Sequence, residues 1–377
     1  MSDVYAAPAG GRLNLAFYRA ASFTDYAIQS LAPFLPRFGR ARSRQVLIDG
    51  LTVRCDRSLP TDSTFLDGWQ QLYHRALQST PFQSPPWQRS LMKIPHAMRR
   101  LRLLTVYDRA RLVAVLPLEL RRGKKLSAPG SSLSDYLDPL IDSQYTATAW
   151  PAILHGVRRL MPGCSLILDN IRSEASDQFP VGAAVGFDLN ISSHAAVSRI
   201  ALPKTWENYL ASLDRHERKE LKRKLNKAEQ KGHARLEVCS DSKTILDEMN
   251  AMFELIHQSG GGKSRKAKWL FPRHFASAAP ELAAGGGLVV YKLLIEDRHA
   301  AGLIALPTRR GEILWNTAFD PSMKTWSPGI VLFAMLIRRA IERGETSFDL
   351  LRGQYDYKYR LGAADHPLHR LTFRPAA

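Results

Sequence analysis

Between residues 347 and 362 the sequence reads SFDLLRGQYDYKYRLG. A short apolar strand, Phe348, Leu350 and Leu351 around Asp349, breaks at Arg352-Gly353. It gives way to a helix-like segment carrying Tyr355, Asp356, Tyr357, Lys358 and Tyr359. Carboxylates, a guanidinium, phenols and an ammonium directly beyond a core strand can bind and orient a polar ligand. In α/β domains the groups beyond the carboxyl ends of strands commonly form the ligand site. The competing structural reading is an Asp349–Arg352 ion pair with the tyrosines packed and their hydroxyls exposed.

A second stretch with chemistry precedes it, AFDPSMKTWSPGIVLFAMLIRRAIERG (318–344). A strand ends near Phe319, and Ser327-Pro328-Gly329 opens an apolar helix. Serine suits the N-cap and proline the first helical position. Gly329 leaves no side chain over the exposed amides, which with the helix dipole make a phosphate site. An ordinary capped helix start is the alternative. The loop SAPGSSLSDYLDPLI (127–141) offers Asp135, Tyr136 and Asp138 to a cleft, although turn chemistry explains its serines and glycine equally.

Other motifs fail on spacing. SGGGKS (259–264) lacks the glycine a nucleotide-binding P-loop needs at 257, where His257 stands, and follows a helix instead of a strand. It reads as a loop, with Lys263, Arg265, Lys266 and Lys268 gathered near it. RHERKELKRKLNKAEQKG (215–232) reads as a solvated helix face; it has no interleaved aromatics for nucleic acid and no second histidine for a zinc-protease helix. There is no G-x-S-x-G elbow. Cys55, Cys164 and Cys239 suggest neither a metal set nor a disulfide framework.

The elements that must position these groups follow from 377 residues, a natural length for two domains. The net charge of +18 points to an anionic partner or surface. No signal peptide and no membrane span is expected. Residues 1–60 are weakly patterned apart from a hairpin in QVLIDGLTVRCD, and read as an extension. Residues 61–195 alternate strands and helices: two or three adjacent strands turn at Asp108–Arg111, a helix covers TATAWPAILHGVRRLM, and CSLILDNI is a buried strand. Residues 196–377 repeat the grammar: one long helix to Gly232, the strand ARLEVCS, a helix to Gly260, a three-stranded meander turning at Glu296-Asp297 and at Arg309–Gly311, a helix, the strand SFDLL, the tyrosine segment and a last strand LHRLTFRP. The class is α/β to α+β.

The stretches TPFQSPPWQRSL (80–91), LVAVLPLELRRGKKL with SSLSDYLDPLI (112–141), DRHERKELKRKLNKAEQKG (214–232), SPGIVLFAMLIRRAIERG (327–344) and FDLLRGQYDYKYRLG (348–362) carry a resemblance. The chain resembles the GNAT-fold acyltransferases of the CelD-like type, linked to cellulose or exopolysaccharide biosynthesis. These are similar in turn to the Fem-type transferases with two fused GNAT domains. The family's final motif runs F-D-F-L-R-G-D-E-P-Y-K; Gln354, Tyr355 and Asp356 here replace its acid, acid and proline.

The resemblance implies two fused GNAT-like domains, each a mixed, mostly antiparallel sheet flanked by helices. It implies an acyl-CoA co-substrate, acetyl-CoA first, and no metal. Ser327, Pro328, Gly329 and Ile330, with Phe319, would hold the donor. Tyr357, or else Tyr355, would be the leaving-group acid, Lys358 would stabilise negative charge, and Asp356 would be the base. Asp349 and Arg352 would orient the site. Asp135, Tyr136, Lys263 and Trp315 would meet the acceptor, an anionic sugar, sugar nucleotide or glycan precursor. Arg99, Arg100 and Lys124 would contribute if the cleft lies between domains. A cytoplasmic place is implied, at the inner face of the membrane if peripheral contact is made. Two alternatives stand beside this. One is a Fem-like transferase using aminoacyl-tRNA, the only case in which nucleic acid is a partner. The other is a non-catalytic GNAT-like binding module.

Overall fold

In the computed structural model, residues 43–93, 100–173, 184, 186–260 and 264–376 are described. The first strands are β1 (Arg44–Ile48) and β2 (Leu51–Asp56), followed by α1 (Ser63–Arg75) and α2 (Pro85–Met92). Then come β3 (Leu101–Asp108), β4 (Arg111–Arg121), β5 (Lys125–Ser127), β6 (Leu140–Ile141), α3 (Thr146–Leu160), β7 (Ser165–Arg172) and β8 (Phe187–Ala201). The second half holds α4 (Trp206–Ser212), α5 (Arg215–Lys231), β9 (Arg235–Cys239), α6 (Ile245–Gln258) and α7 (Ser264–Ala284). It continues through β10 (Val289–Ile295), β11 (Arg298–Thr308), β12 (Gly311–Phe319), α8 (Pro328–Glu342), β13 (Ser347–Arg352), α9 (Asp356–Arg360) and β14 (Ala364–Pro375).

The expected mixed, mostly antiparallel sheets flanked by helices are present, but joined into one sheet. Its order is β1-β2-β3-β4-β5-β7-β14-β8-β13-β12-β11-β10-β9, with β6 on β4. Each half makes an antiparallel meander, crosses over a helix and returns in parallel: β5 to β7 over α3, and β12 to β13 over α8. Parallel neighbours require such a crossover. The last strand of each half is exchanged. β8 pairs with β13 of the second half, and β14 pairs with β7 of the first. β8 and β14 pair with each other from Ala364↔Arg199 to Pro375↔Phe187. The expected boundary between residues 195 and 196 falls inside β8.

The helices cover the sheet as their apolar faces require. α3 buries Trp150, Ile153, Leu154 and Val157 on the first half, and α8 buries Val331, Leu332 and Ile337 on the second. On the opposite face of the second half, Trp87 of α2 meets Phe275 of α7 at 5.4 Å and Trp315 of β12 at 5.8 Å, both edge-on. Such edge-to-face pairs add to burial, and these join the halves.

Four expectations need correction. The hairpin at residues 44–56 is integral, since β2 pairs with β3 and buries Val53 and Cys55. The single helix expected up to Gly232 is two helices. Leu213 takes an extended conformation, and the Asp214 carboxylate caps α5 by accepting the Glu217 amide at 2.9 Å, a stronger local preference than continuing the helix. α7 was not anticipated, because Pro272 and Pro280 interrupt its pattern. β8 was also missed: its FDLNISSHAAVSRIA is poor in β-branched residues and becomes a strand by pairing on both sides.

Candidate functional site

β12 and β13 touch at one register pair, Ile313↔Asp349, and then part. In the first half the corresponding strands stay closed over three consecutive pairs, Lys125↔Ser165 to Ser127↔Ile167. Two backbone irregularities open the second pair. Trp315 is the extra residue of a bulge on β12, since Ile304 pairs with Asn316 and Ala305 with Leu314; a bulge bends its strand and leaves backbone groups unpaired. On β13, Leu351 sits at φ 58°, and the register against β8 shifts between Asp349 and Arg352. A branched residue in the left-handed region costs about 1–2 kcal/mol, so something must hold it.

Lys358 holds it. Its side chain is 2 % exposed. Its ammonium donates to the carbonyls of Leu350 at 2.9 Å, Leu351 at 2.9 Å and Arg352 at 3.1 Å. Gly353 completes the bend at φ 103°, where a Cβ would lie 2.6 Å from the Tyr355 ring. The sequence reading gave Lys358 the stabilisation of reaction charge; its three protons are spent on the end of β13.

The opening between the strands is a cavity of about 270 Å³. Trp315, Asn316 and Thr317 of β12 form one wall, Leu350 and Leu351 of β13 the other, with Phe333 of α8 between. Tyr357 stacks on Phe333 at 5.4 Å and on Tyr355 at 6.0 Å. Burial, and secondarily Tyr355, push its phenol up to about 12. Tyr357 therefore keeps its proton where an ordinary tyrosine, near 10, begins to lose it.

The first half supplies a wall. Arg352 donates to Ser131 O at 2.9 Å and pairs with Asp135, while the Trp315 indole donates to Leu133 O at 2.9 Å. Lys266 of α7 reaches Ser132 O at 3.4 Å. Arg352 thus positions the 131–135 loop and does not pair with Asp349, so the competing reading of an Asp349–Arg352 ion pair does not hold. Asp349 faces the other way. It accepts the Tyr136 hydroxyl at 2.5 Å, Arg199 Nε at 3.1 Å and the Leu351 amide at 2.9 Å. Burial, and then the Asp349 charge, raise the Tyr136 phenol well above its ordinary range. Tyr136 and Asp349 were both singled out from sequence; Arg199, which joins them, was not.

At the start of α8, Ser327 occupies the cap position but does not cap. At φ 51° its side chain makes no capping bond, and its carbonyl takes the Ile330 and Val331 amides at 3.0 and 3.1 Å. Pro328 has no N–H. The Gly329 amide is left with no backbone acceptor among the described residues. A Cβ at Gly329 would have room, its nearest neighbour being the exposed Phe319 ring at 3.7 Å. Lys227 of α5 adds positive charge nearby, donating to Thr325 O at 3.0 Å and lying 4.6 Å above the Trp326 ring. Sequence gave no sign of this, because Lys227 is one of many cations on α5.

The remaining candidates scatter. Asp356 is exposed at the start of α9, outside the cavity lining. Arg100 and Lys124 do not line the cavity either, and Arg99 and Lys263 lie outside the described residues. Among the described residues Asp135 is the one carboxylate in the lining, and it is engaged by Arg352. Among the described residues no group of side chains could hold a metal ion, and no helix is long and apolar enough to cross a membrane.

Ser90 and His274 mimic a nucleophile and its base at 2.6 Å. However, the imidazole is 1 % exposed, and burial pushes it down to about 3. It is a core histidine. A depressed folded pKa contributes stability that is present above the unfolded value, near 6.5, and lost as pH falls toward 3. The expected result is an unfolding free energy that falls by about 1.4 kcal/mol per pH unit in that window. Urea titrations of wild type and His274→Phe check this, the slope being shallower in the variant.

With this geometry in view, the comparisons agree on the fold. Residues 215–359 match the model of the acetyltransferase (GNAT) domain. FemX aligns with 81% of this chain and 95% of its own at a TM-score of 0.57 and 12% identity. The C-terminal DUF2156 domain of a protein described as a lysylphosphatidylglycerol synthetase, from Agrobacterium fabrum, aligns with 81% of this chain and 91% of its own at a TM-score of 0.51 and 13% identity. No curated protein matches the sequence. Residues 215–359 thus carry a match to a GNAT domain, and the fold of the described residues is like that of FemX.

Proposed function

We propose that the chain transfers an acyl group, acetyl first, from acyl-CoA to an amine or hydroxyl of a sugar, sugar nucleotide or polysaccharide precursor, as in the CelD-like proteins it resembles. The observation that carries this is the opened β12/β13 pair beside the uncovered Gly329 amide. A pantetheine arm needs a slot that interrupts a sheet, and a pyrophosphate needs free amides at a helix start. Both occur in the second half. Among the described residues the slot has no counterpart in the first, where β5 and β7 stay paired.

The acceptor nitrogen or oxygen attacks the thioester carbonyl, the C–S bond breaks, and the departing thiolate takes the proton of Tyr357. The acceptor's own proton leaves to a base; Asp356 is the sequence candidate and Asp135 the carboxylate in the cavity wall. The bulge at Trp315 leaves backbone polar groups outside the ladder in the cavity wall, where a donor facing the thioester carbonyl would stabilise an oxyanion. Lys358 and Arg352 position the end of β13 and the 131–135 loop.

Tyr357→Phe tests the acid. Positioned proton transfer contributes roughly 10²–10⁴-fold. The expected result is kcat lower by about a hundredfold or more with KM for acyl-CoA little changed. The wild-type profile should show no fall attributable to this group until pH nears about 12, above the ordinary tyrosine value near 10. A variant with unchanged kcat removes Tyr357 from the mechanism.

A further inference from the structure

Beyond the Ile313–Asp349 contact lies a second cleft of about 310 Å³, built by both halves and separate from the donor cavity. Four arginines line it: Arg172 at the end of β7, Arg199 of β8, and Arg309 and Arg310 of the β11–β12 turn. They face two carboxylates, Asp349 and Glu312, and both of these are satisfied. Asp349 is held by Tyr136 and Arg199, and Glu312 by Arg343 at 2.9 Å and the Tyr291 hydroxyl at 2.7 Å. The Arg172 side chain is only 10% exposed. Asp138 fixes its Nε at 2.8 Å and the Gln78 carbonyl takes its Nη2, leaving Nη1 without a partner among the described residues. The exposed Arg310 guanidinium likewise has no partner among them.

A largely buried guanidinium, oriented by an acid behind it and joined by rim arginines, presents planar donors to a tetrahedral anion. Cleft walls of low dielectric focus the uncompensated charge. We propose that this cleft binds the phosphate group of a small molecule. Resting on the acyl-transfer reading above, that molecule is the acceptor. Its anchor adjoins Asp349, one residue before the donor cavity opens at Leu350.

The test is a calorimetric titration of the full chain with inorganic pyrophosphate, in wild type, in the double variant Arg309→Glu/Arg310→Glu, and in Gly329→Glu. Melting temperatures serve as the fold control. The expected result is binding in wild type that persists in Gly329→Glu, where the donor helix is blocked, and that is at least tenfold weaker in the double variant. No binding in wild type, indifference to the arginine changes, or loss in Gly329→Glu would each overturn the proposal, the last because the pyrophosphate would then sit at the donor helix. Arginine-dependent binding in a protein that does not take up acetyl-CoA would keep this cleft and overturn the donor reading instead.

Discussion

Lys358→Met is expected to lower the unfolding free energy by about 3 kcal/mol. Three carbonyls, two of them fully buried, would lose their shared donor. An unsatisfied buried acceptor costs roughly 1–3 kcal/mol. Part of that is offset, because the ammonium's own desolvation, several kcal/mol in a protein interior, disappears with it. Lys358→Arg should not rescue, since a planar guanidinium cannot point three protons at carbonyls of successive residues. Equilibrium urea unfolding decides the matter. A change below about 1 kcal/mol, with kcat reduced, would return Lys358 to the role of stabilising reaction charge.

Much of this was legible in sequence where local chemistry dictates structure. The meander over β10–β12 declared itself by apolar strands and by turns at Glu296-Asp297 and Arg309–Gly311. Pro328 and Gly329 marked the start of α8, and SFDLL marked β13. The site's partners were less legible, because they are set at long range. Asp349 finds Arg199, 150 residues away, instead of its neighbour Arg352. Arg352 in turn finds Asp135, 217 residues away. Both choices follow from the exchange of β8 and β14 and from the turn of the chain at Leu351. No periodicity announces either. Lys358 looked catalytic for the same reason: a lysine after a strand reads as a free cation until the strand's end curls around it. The cap at Ser327 failed because a backbone at φ 51° turns the hydroxyl away from the amides it would satisfy.

The second large effect is at the donor site. Gly329→Glu places a carboxylate where the pyrophosphate is expected. The fold should tolerate it. Gly329 is not in a left-handed conformation, a Cβ meets nothing closer than 3.7 Å, and an acidic residue in a first helical turn is favourable to the helix dipole. The loss is therefore confined to binding. Like charges at ~4 Å near a protein surface repel by about 4 kcal/mol, roughly a thousandfold in affinity. Lys227 offsets a fraction of this, so a loss of at least a hundredfold is the expected result.

The measurement that bears most directly on the central claim is a calorimetric titration of wild type and Gly329→Glu with acetyl-CoA, both proteins shown to melt alike. Saturable binding by wild type that disappears in Gly329→Glu is the result this account predicts. Equal binding by both proteins would place the donor elsewhere, and no binding of acetyl-CoA or longer acyl-CoAs by wild type would contradict an acyl-CoA-dependent transferase.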